Sequence, residues 1–360
     1  MKVGILTFHD GINHGAFLQA YCLQETVKML GADVYIINYR SRFYHSQRYK
    51  QRHDFFIKSW KTYRHFSVIK VKWQNIIKNL RFKYAQQSNL NLTFFSHDIS
   101  TIIEKYKFDL IILGSDEIWN FKNDSRGFDL NYFGKDLREI PTISYAPSLG
   151  QISLGDKIPN QINTYLKQLS SISVRDRNSL EILKSMALNA TQVLDPTFLY
   201  DVQVINPHKI PKINKYILVY AGYISTENKQ SIQDFSRRYG YKLVAASYDQ
   251  NWCDYSFVDV GICEWLGLFK NASFIITNTF HGTIFSILNK KDFCVLDLRS
   301  KTNKISNLLE DLKLVDRIVY SSSEFNHKIL ERIDYNKVFD LIDKYKKQSL
   351  LFLETNINSI

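Results

Sequence analysis

The stretch SFIITNTFHGTIFSILNKKDFCVLDL, residues 273–298, decides how this chain is read. A β-branched apolar run (273–279) passes through Asn278, Thr279, Phe280, His281 and Gly282 into an amphipathic segment ending at Leu288, and a second apolar run follows at 292–298. Strand, helix and strand in succession form the unit from which parallel sheets are built. The alternation recurs on both sides. VGILTF (3–8), VYIINY (34–39), DLIILGS (109–115), TISYAPS (142–148), SISVRD (171–176) and TQVLDPTFL (191–199) read as strands of a first half, and YILVYAG (216–222) and YKLVAAS (241–247) open a second. GAFLQAYCLQETVKML (15–30) has helical spacing and stops at Gly31, a natural residue to follow a helix.

At 360 residues the chain exceeds one ordinary core, since single cores stop growing near about 250–300 residues. The pattern predicts an α/β protein with two Rossmann-like lobes facing a cleft. The first lobe is expected over 1–205 with a basic aromatic insertion at about 40–83, the second over 206–325, and a C-terminal helical segment over 326–360. Residues 200–215, with two prolines and little periodicity, read as the linker.

A composition of 45% hydrophobic and 14% aromatic residues excludes a disordered or fibrous chain. The cysteines at 22, 253, 263 and 294 are scattered, which suggests reduced thiols and neither a zinc knuckle nor a disulfide framework. No metal-ligand spacing is visible among the histidines. The amino terminus does not read as a signal peptide, and no window approaches the roughly 18 apolar residues of a membrane span. The expectation is a cytoplasmic protein, soluble or attached peripherally to the inner face of the cell membrane.

The net charge of +12 has an address. From Arg40 to Lys83 the chain holds thirteen Lys and Arg against the single acid Asp54, interleaved with ten aromatic residues. That mixture suits an anionic membrane surface. Single-stranded nucleic acid would accept the same composition but is not expected as a partner. A solvated helical insertion with a partly buried aromatic side is the plainer alternative.

In open α/β sheets, ligands bind beyond the carboxyl ends of the strands. Four stretches sit at such places. The loop with Asn13, His14 and Gly15 precedes a helix whose first turn favours anions. Gly114, Ser115 and Asp116 follow a buried strand, where a carboxylate beside a glycine that admits a ligand can act as general acid or base, or simply cap the next helix. Arg175 leaves a strand as a planar fork for carboxylate or phosphate, or pairs with Asp176 or another acid at the surface. Thr279, His281, Gly282 and Thr283 offer a hydroxyl, an imidazole and helix amides to a phosphate, although a lone histidine here could equally be a hydrogen-bonded core residue.

Taken in order, Asn13-His14-Gly15-Ala16 with Leu18-Gln19-Ala20-Tyr21, Gly114-Ser115-Asp116 with Trp119-Asn120, Ser144-Tyr145-Ala146, Ser173-Val174-Arg175, Leu194-Asp195-Pro196 and Thr277-Asn278-Thr279-Phe280-His281-Gly282 resemble the polysaccharide pyruvyl transferase family. Thr279 stands where serine is common, Pro147 where a small residue is usual, and the first loop lacks the aromatic residue that often precedes its glycine. The resemblance implies a GT-B-like fold and transfer of pyruvate from phosphoenolpyruvate to two sugar hydroxyls as a cyclic ketal, with no other cofactor. It implies that Asp116, Arg175 and His281 are catalytic, while Asn13, His14, Gly15, Gly114, Ser115, Thr279, Gly282 and Thr283 bind substrate. The acceptor is expected to be a glycan or lipid-linked saccharide. Replacing Arg175 or His281 by alanine is expected to cut turnover about a hundredfold with the fold intact. A nucleotide-sugar-dependent GT-B-like glycosyltransferase, with Glu264 on a ribose, is the enzyme alternative; an idle scaffold of the same fold is the other.

Overall fold

The computed structural model describes residues 1–44, 46, 66–124, 127–137, 139–202, 212–296 and 302–360. Residues 45 and 47–65 of the basic insertion and 203–211 of the linker lie outside the described residues. The chain divides into two compact units, the first comprising Met1–Lys72, Lys83–Asp201 and Tyr345–Ile360, the second Trp73–Phe82 and Val202–Lys344.

From the amino terminus the elements are β1 (Lys2–Leu6), α1 (His14–Met29), β2 (Asp33–Ile36), α2 (Phe66–Asn89), α3 (Ile99–Tyr106), β3 (Leu110–Asp116), β4 (Thr142–Pro147), α4 (Asn160–Leu166), β5 (Ser173–Val174), α5 (Arg177–Ser185) and β6 (Thr191–Gln192). The first unit's main sheet runs β2-β1-β3-β4 and is wholly parallel. Leu110 to Ser115 of β3 are all buried, as expected of a strand covered on both faces. Gly31 takes φ +91° and ends α1, with its amide donating to Lys28 O at 2.9 Å. A Cβ on Gly114 would lie 2.5 Å from Leu23 Cδ2 of α1, so this glycine serves helix-on-strand packing rather than ligand access. The strand expected over 191–199 shrinks to two residues. Asp195 caps a 3-10 turn at Pro196–Phe198, and its carboxylate accepts the Thr197 amide at 3.1 Å.

The second unit adds β7 (Tyr216–Tyr220), α6 (Thr226–Tyr239), β8 (Lys242–Ala246), β9 (Tyr255–Phe257), α7 (Ile262–Asn271), β10 (Phe274–Thr277), α8 (Phe280–Leu288), β11 (Phe293–Leu296), α9 (Thr302–Asp311), β12 (Ile318–Val319), α10 (Ser322–Lys328) and the start of α11 (Tyr335–Asn358). Its six parallel strands are ordered β12-β11-β10-β7-β8-β9. Counted from β7 this is the order 3-2-1-4-5-6 of doubly wound dinucleotide folds. The edge strands β9 and β12 escape a sequence reading because one is half polar and the other has two residues. Trp265, Phe269 and Phe285 pack together beneath the sheet, with ring centroids 4.3 to 6.2 Å apart.

The C-terminal helical segment expected over 326–360 is shared, its part up to Lys344 lying in the second unit. From Tyr345 onward it belongs to the first unit. There Ser349 Oγ accepts the Leu194 amide at 2.9 Å, the Phe352 ring lies 6.4 Å from that of Tyr145, and Leu353 is fully buried. Leu353→Ala should therefore cost about 2–5 kcal/mol. Amide exchange is expected to accelerate in β3 and β4 and to stay unchanged in β7 and β10.

Candidate active site

In each unit the motif residues gather where the strand order reverses, between β1 and β3 in the first and between β7 and β10 in the second. Sheets of this class bind ligands at that point because the flanking loops diverge and leave a gap.

In the first unit Thr7 Oγ1 donates to Ser115 O at 3.1 Å and ties the two loops together. Gln19 braces them from below. Its amide nitrogen donates to Thr7 Oγ1, Phe8 O and Ala16 O at 3.0, 3.2 and 2.9 Å. Asn13 is the N-cap of α1 and accepts the Ala16 amide at 3.1 Å, while His14 and Gly15 are buried in the first turn. Arg40, the first cation of the basic window, is committed to the buried Asp10 at 3.1 Å.

Asp116 and Arg175 come together, with a third partner the sequence reading did not assign. Arg175 Nη1 donates to Asp195 Oδ2 at 2.9 Å, with both side chains 1% exposed. Nη2 reaches Asp116 Oδ1 at a loose 3.4 Å. Burial opposes the guanidinium charge, yet Asp195, then Asp116, Glu117 and Asp176, raise the Arg175 pKa above its ordinary value. Of the acids that could pair with Arg175, it is the buried Asp195 and not Asp176 that does so most closely, Asp176 instead capping α5 by accepting the Ser179 amide at 2.8 Å. Asp195 also accepts the Thr197 hydroxyl at 2.7 Å, so the turn itself holds the carboxylate against the fork.

Asp116 remains the open member of the cluster at 19% side-chain exposure. Both its bonds, from Glu117 N at 2.9 Å and from Arg175, fall on Oδ1, and among the described residues Oδ2 receives none. Its backbone is left-handed, φ +68°, as is Ala146 at φ +58° on the neighbouring strand. Such conformations cost about 1–3 kcal/mol each and concentrate at functional sites. Beside it, Ser115 Oγ is buried without a hydrogen-bond partner among the described residues, an unusual state that a polar ligand atom would relieve.

In the second unit Thr279 is the N-cap of α8, its hydroxyl accepting the Gly282 amide at 3.0 Å. The Thr283 amide and hydroxyl both donate to Thr279 O, at 3.0 Å each. The amides of Gly282 and Thr283, expected to face a phosphate, are thus engaged in the cap and the helix. A Cβ on Gly282 would stand 2.1 Å from Thr277 Oγ1 and 2.8 Å from Tyr220 Cδ1, so the glycine lets α8 seat on β10 and β7. His281, in the first turn, is half-buried with its ring 5.4 Å from that of Phe280. Asn278 spans the reversal, accepting from Gly222 N at 3.1 Å and donating to Tyr223 O at 2.8 Å. Gln250 holds the same loop by donating to Ala221 O and Gly222 O at 2.9 and 2.8 Å.

Lys78 also belongs here. Its ammonium donates to Ser247 O at the end of β8, 3.1 Å away, and burial pushes its pKa down to about 8 against a smaller upward pull from Asp259. Glu264 lies in the first turn of α7, 3.6 Å from Arg81.

A family model described as polysaccharide pyruvyl transferase matches residues 13–300, a range holding both clusters. The chain belongs to this family. No curated protein matches the sequence. Among solved structures, UDP-GlcNAc 2-epimerase from Neisseria meningitidis is similar with a TM-score of 0.51 and 11% identity, over 97% of this chain and 94% of that one. The enzyme from Methanocaldococcus jannaschii gives 0.50 and 13% over 96% and 93%, and that from Rickettsia bellii 0.50 and 13% over 99% and 98%. At such identities the likeness concerns the fold alone, which is the GT-B-like class of two Rossmann-like lobes.

Arg175→Met should strand the Asp195 carboxylate in the core and cost about 3–5 kcal/mol in urea unfolding, in place of the intact fold that the sequence alone leads one to expect of Arg175→Ala. Gly282→Ala should cost about 1–3 kcal/mol by overpacking the threonine pair. For Lys78 the folded pKa of about 8 lies below the ordinary 10.5, so the folded state holds fewer protons and its burial cost fades as pH rises between those values. Relative to Lys78→Met, the wild type should gain stability from pH 7.5 to 10, read as the difference in urea midpoints at the two ends of this window.

Proposed function

We propose that this family member transfers the pyruvyl group of phosphoenolpyruvate onto two hydroxyls of one sugar, forming a cyclic ketal in a surface-polysaccharide precursor. The observation that carries the reading is the Arg175 fork, which pairs with the buried Asp195 at 2.9 Å and reaches the partly exposed Asp116 at a longer 3.4 Å. A contact of 3.4 Å is weak enough for an anionic oxygen of the donor to compete for Nη2.

The donor's methylene carbon gains a proton, and its C2, now electron-poor, is attacked by one sugar hydroxyl. The bond from C2 to the bridging oxygen breaks, phosphate departs, and the second hydroxyl closes the ring. Two hydroxyl protons are lost in all, one balanced by the new methyl group and one carried off with phosphate. Asp116, through Oδ2, receives a hydroxyl proton. Arg175 clamps the donor's carboxylate or phosphate, and His281 assists the leaving phosphate. Asp116 or His281 supplies the methylene proton.

The acceptor in this reading is a lipid-linked saccharide handled at the inner face of the cell membrane, with the basic window 40–83 providing the contact. Incubation with phosphoenolpyruvate and a panel of nitrophenyl glycosides should release phosphate and add one pyruvyl group by mass. His281→Ala and the charge-preserving Arg175→Lys should each lower turnover about a hundredfold. Thermal stabilisation by UDP or GDP, with none by phosphoenolpyruvate, would favour nucleotide-sugar transfer instead.

A further inference from the structure

Helix α2 carries apolar side chains on two opposite faces. Phe82 and Ala85 are buried at 1% and 9% exposure, Lys78 is turned to Ser247, and Arg81 donates to Asp259 O at 3.0 Å. The other side presents Trp73, Ile76, Ile77, Leu80 and Tyr84, exposed at 62, 43, 37, 62 and 73%. At 3.6 residues per turn these five fall within about 100° of arc, an unbroken apolar stripe along about 16 Å of helix. A soluble helix normally buries its apolar arc and wets the other, and contiguous exposed apolar surface marks an interaction face.

We propose that this stripe is a membrane-docking face, on which Trp73, Ile76, Ile77, Leu80 and Tyr84 settle into the headgroup region of an anionic bilayer. It deepens the membrane contact put forward above and rests on that reading for its purpose. The charge around the stripe selects the occupant. The 24 residues of α2 contain no Asp or Glu and five Lys or Arg; Lys78 and Arg81 are engaged on the opposite face, which leaves three cations against no acid, and the window 40–83 carries the whole excess charge of the protein. A second copy of this face would bring like charges together, which opposes self-association. Anionic headgroups complement the charge, while Trp and Tyr near the two ends of the stripe favour the boundary between water and hydrocarbon. A stripe of this length lies along the surface, since crossing requires about 20 apolar residues. No described helix is long and apolar enough to cross a membrane.

The test uses the full chain, sedimented with phosphatidylcholine vesicles and with vesicles that also contain phosphatidylglycerol. Wild type should partition onto the anionic vesicles and be released by salt, and Trp73→Ser/Leu80→Ser should bind them at least about tenfold more weakly. Both substituted side chains are exposed, so the melting temperature should be unchanged. Equal partition of wild type and variant, or equal binding to neutral vesicles, overturns the proposal. So does a dimer in wild type that the variant loses while neither binds vesicles. Phosphate release with a water-soluble glycoside should be the same in both proteins. A loss of vesicle binding in the variant, with no pyruvyl transfer by either, would sink the pyruvyl reading and leave the docking face standing.

Discussion

A guanidinium with 1% of its side chain exposed must keep its charge company, and the first unit is arranged around that requirement. Arg175 ends one strand, Asp116 ends another, and Asp195 begins a tight turn, so the three meet only when β3, β4 and the β5-β6 pair are all in register. Ser144 enforces part of that register. Its hydroxyl donates to Ser173 O and accepts the Ser173 amide, at 2.9 and 3.0 Å. The electrostatic and hydrogen-bonded constraints therefore act on the same few residues, and neither cluster member can shift without unpairing a buried group. Asymmetry within the pair is what gives chemistry its opening: Asp195 is sealed and saturated, whereas Asp116 is partly wet and keeps one oxygen unengaged among the described residues.

The second unit achieves its order with neutral groups. Asn278 and Gln250 are amides that staple one loop from two sides, and Thr277 and Thr279 form a hydroxyl pair under the start of α8. Gly282 is small because that pair and Tyr220 already occupy the space a side chain would need. Gly114 is small because Leu23 does. In both units a glycine beside the candidate ligand group is explained by a helix coming down on a strand, which brings the loop's polar residues to the sheet edge.

The α/β class, the helix ending at Gly31 and most strands were legible because apolar runs and helical spacing are local signals. The places of Asp116 and Arg175 at strand ends followed from the same pattern. What joined them was not local. Asp195 lies twenty residues beyond Arg175 and looks, in sequence, like the opening of a turn; only the turn's geometry aims its carboxylate at the fork. Gln19, Asn278 and Gln250 bond chiefly to backbone atoms of other loops, contacts that no spacing rule announces. The basic window read as one feature, yet it divides: Arg40 and Arg81 are spent on internal acids, and Lys78 on a carbonyl.

The placement of residues 345–360 in the first unit bears on how this chain is made. Strands β1 to β4 leave the ribosome before the second unit, but Ser349, which satisfies the Leu194 amide, and the fully buried Leu353 follow only after it, Ser349 lying 155 residues beyond Leu194. The amino-terminal unit must wait, incompletely sealed, while the second unit is synthesised and can fold. The half that begins first is the half that finishes last, and its unfinished surface is where a chaperone would be most needed.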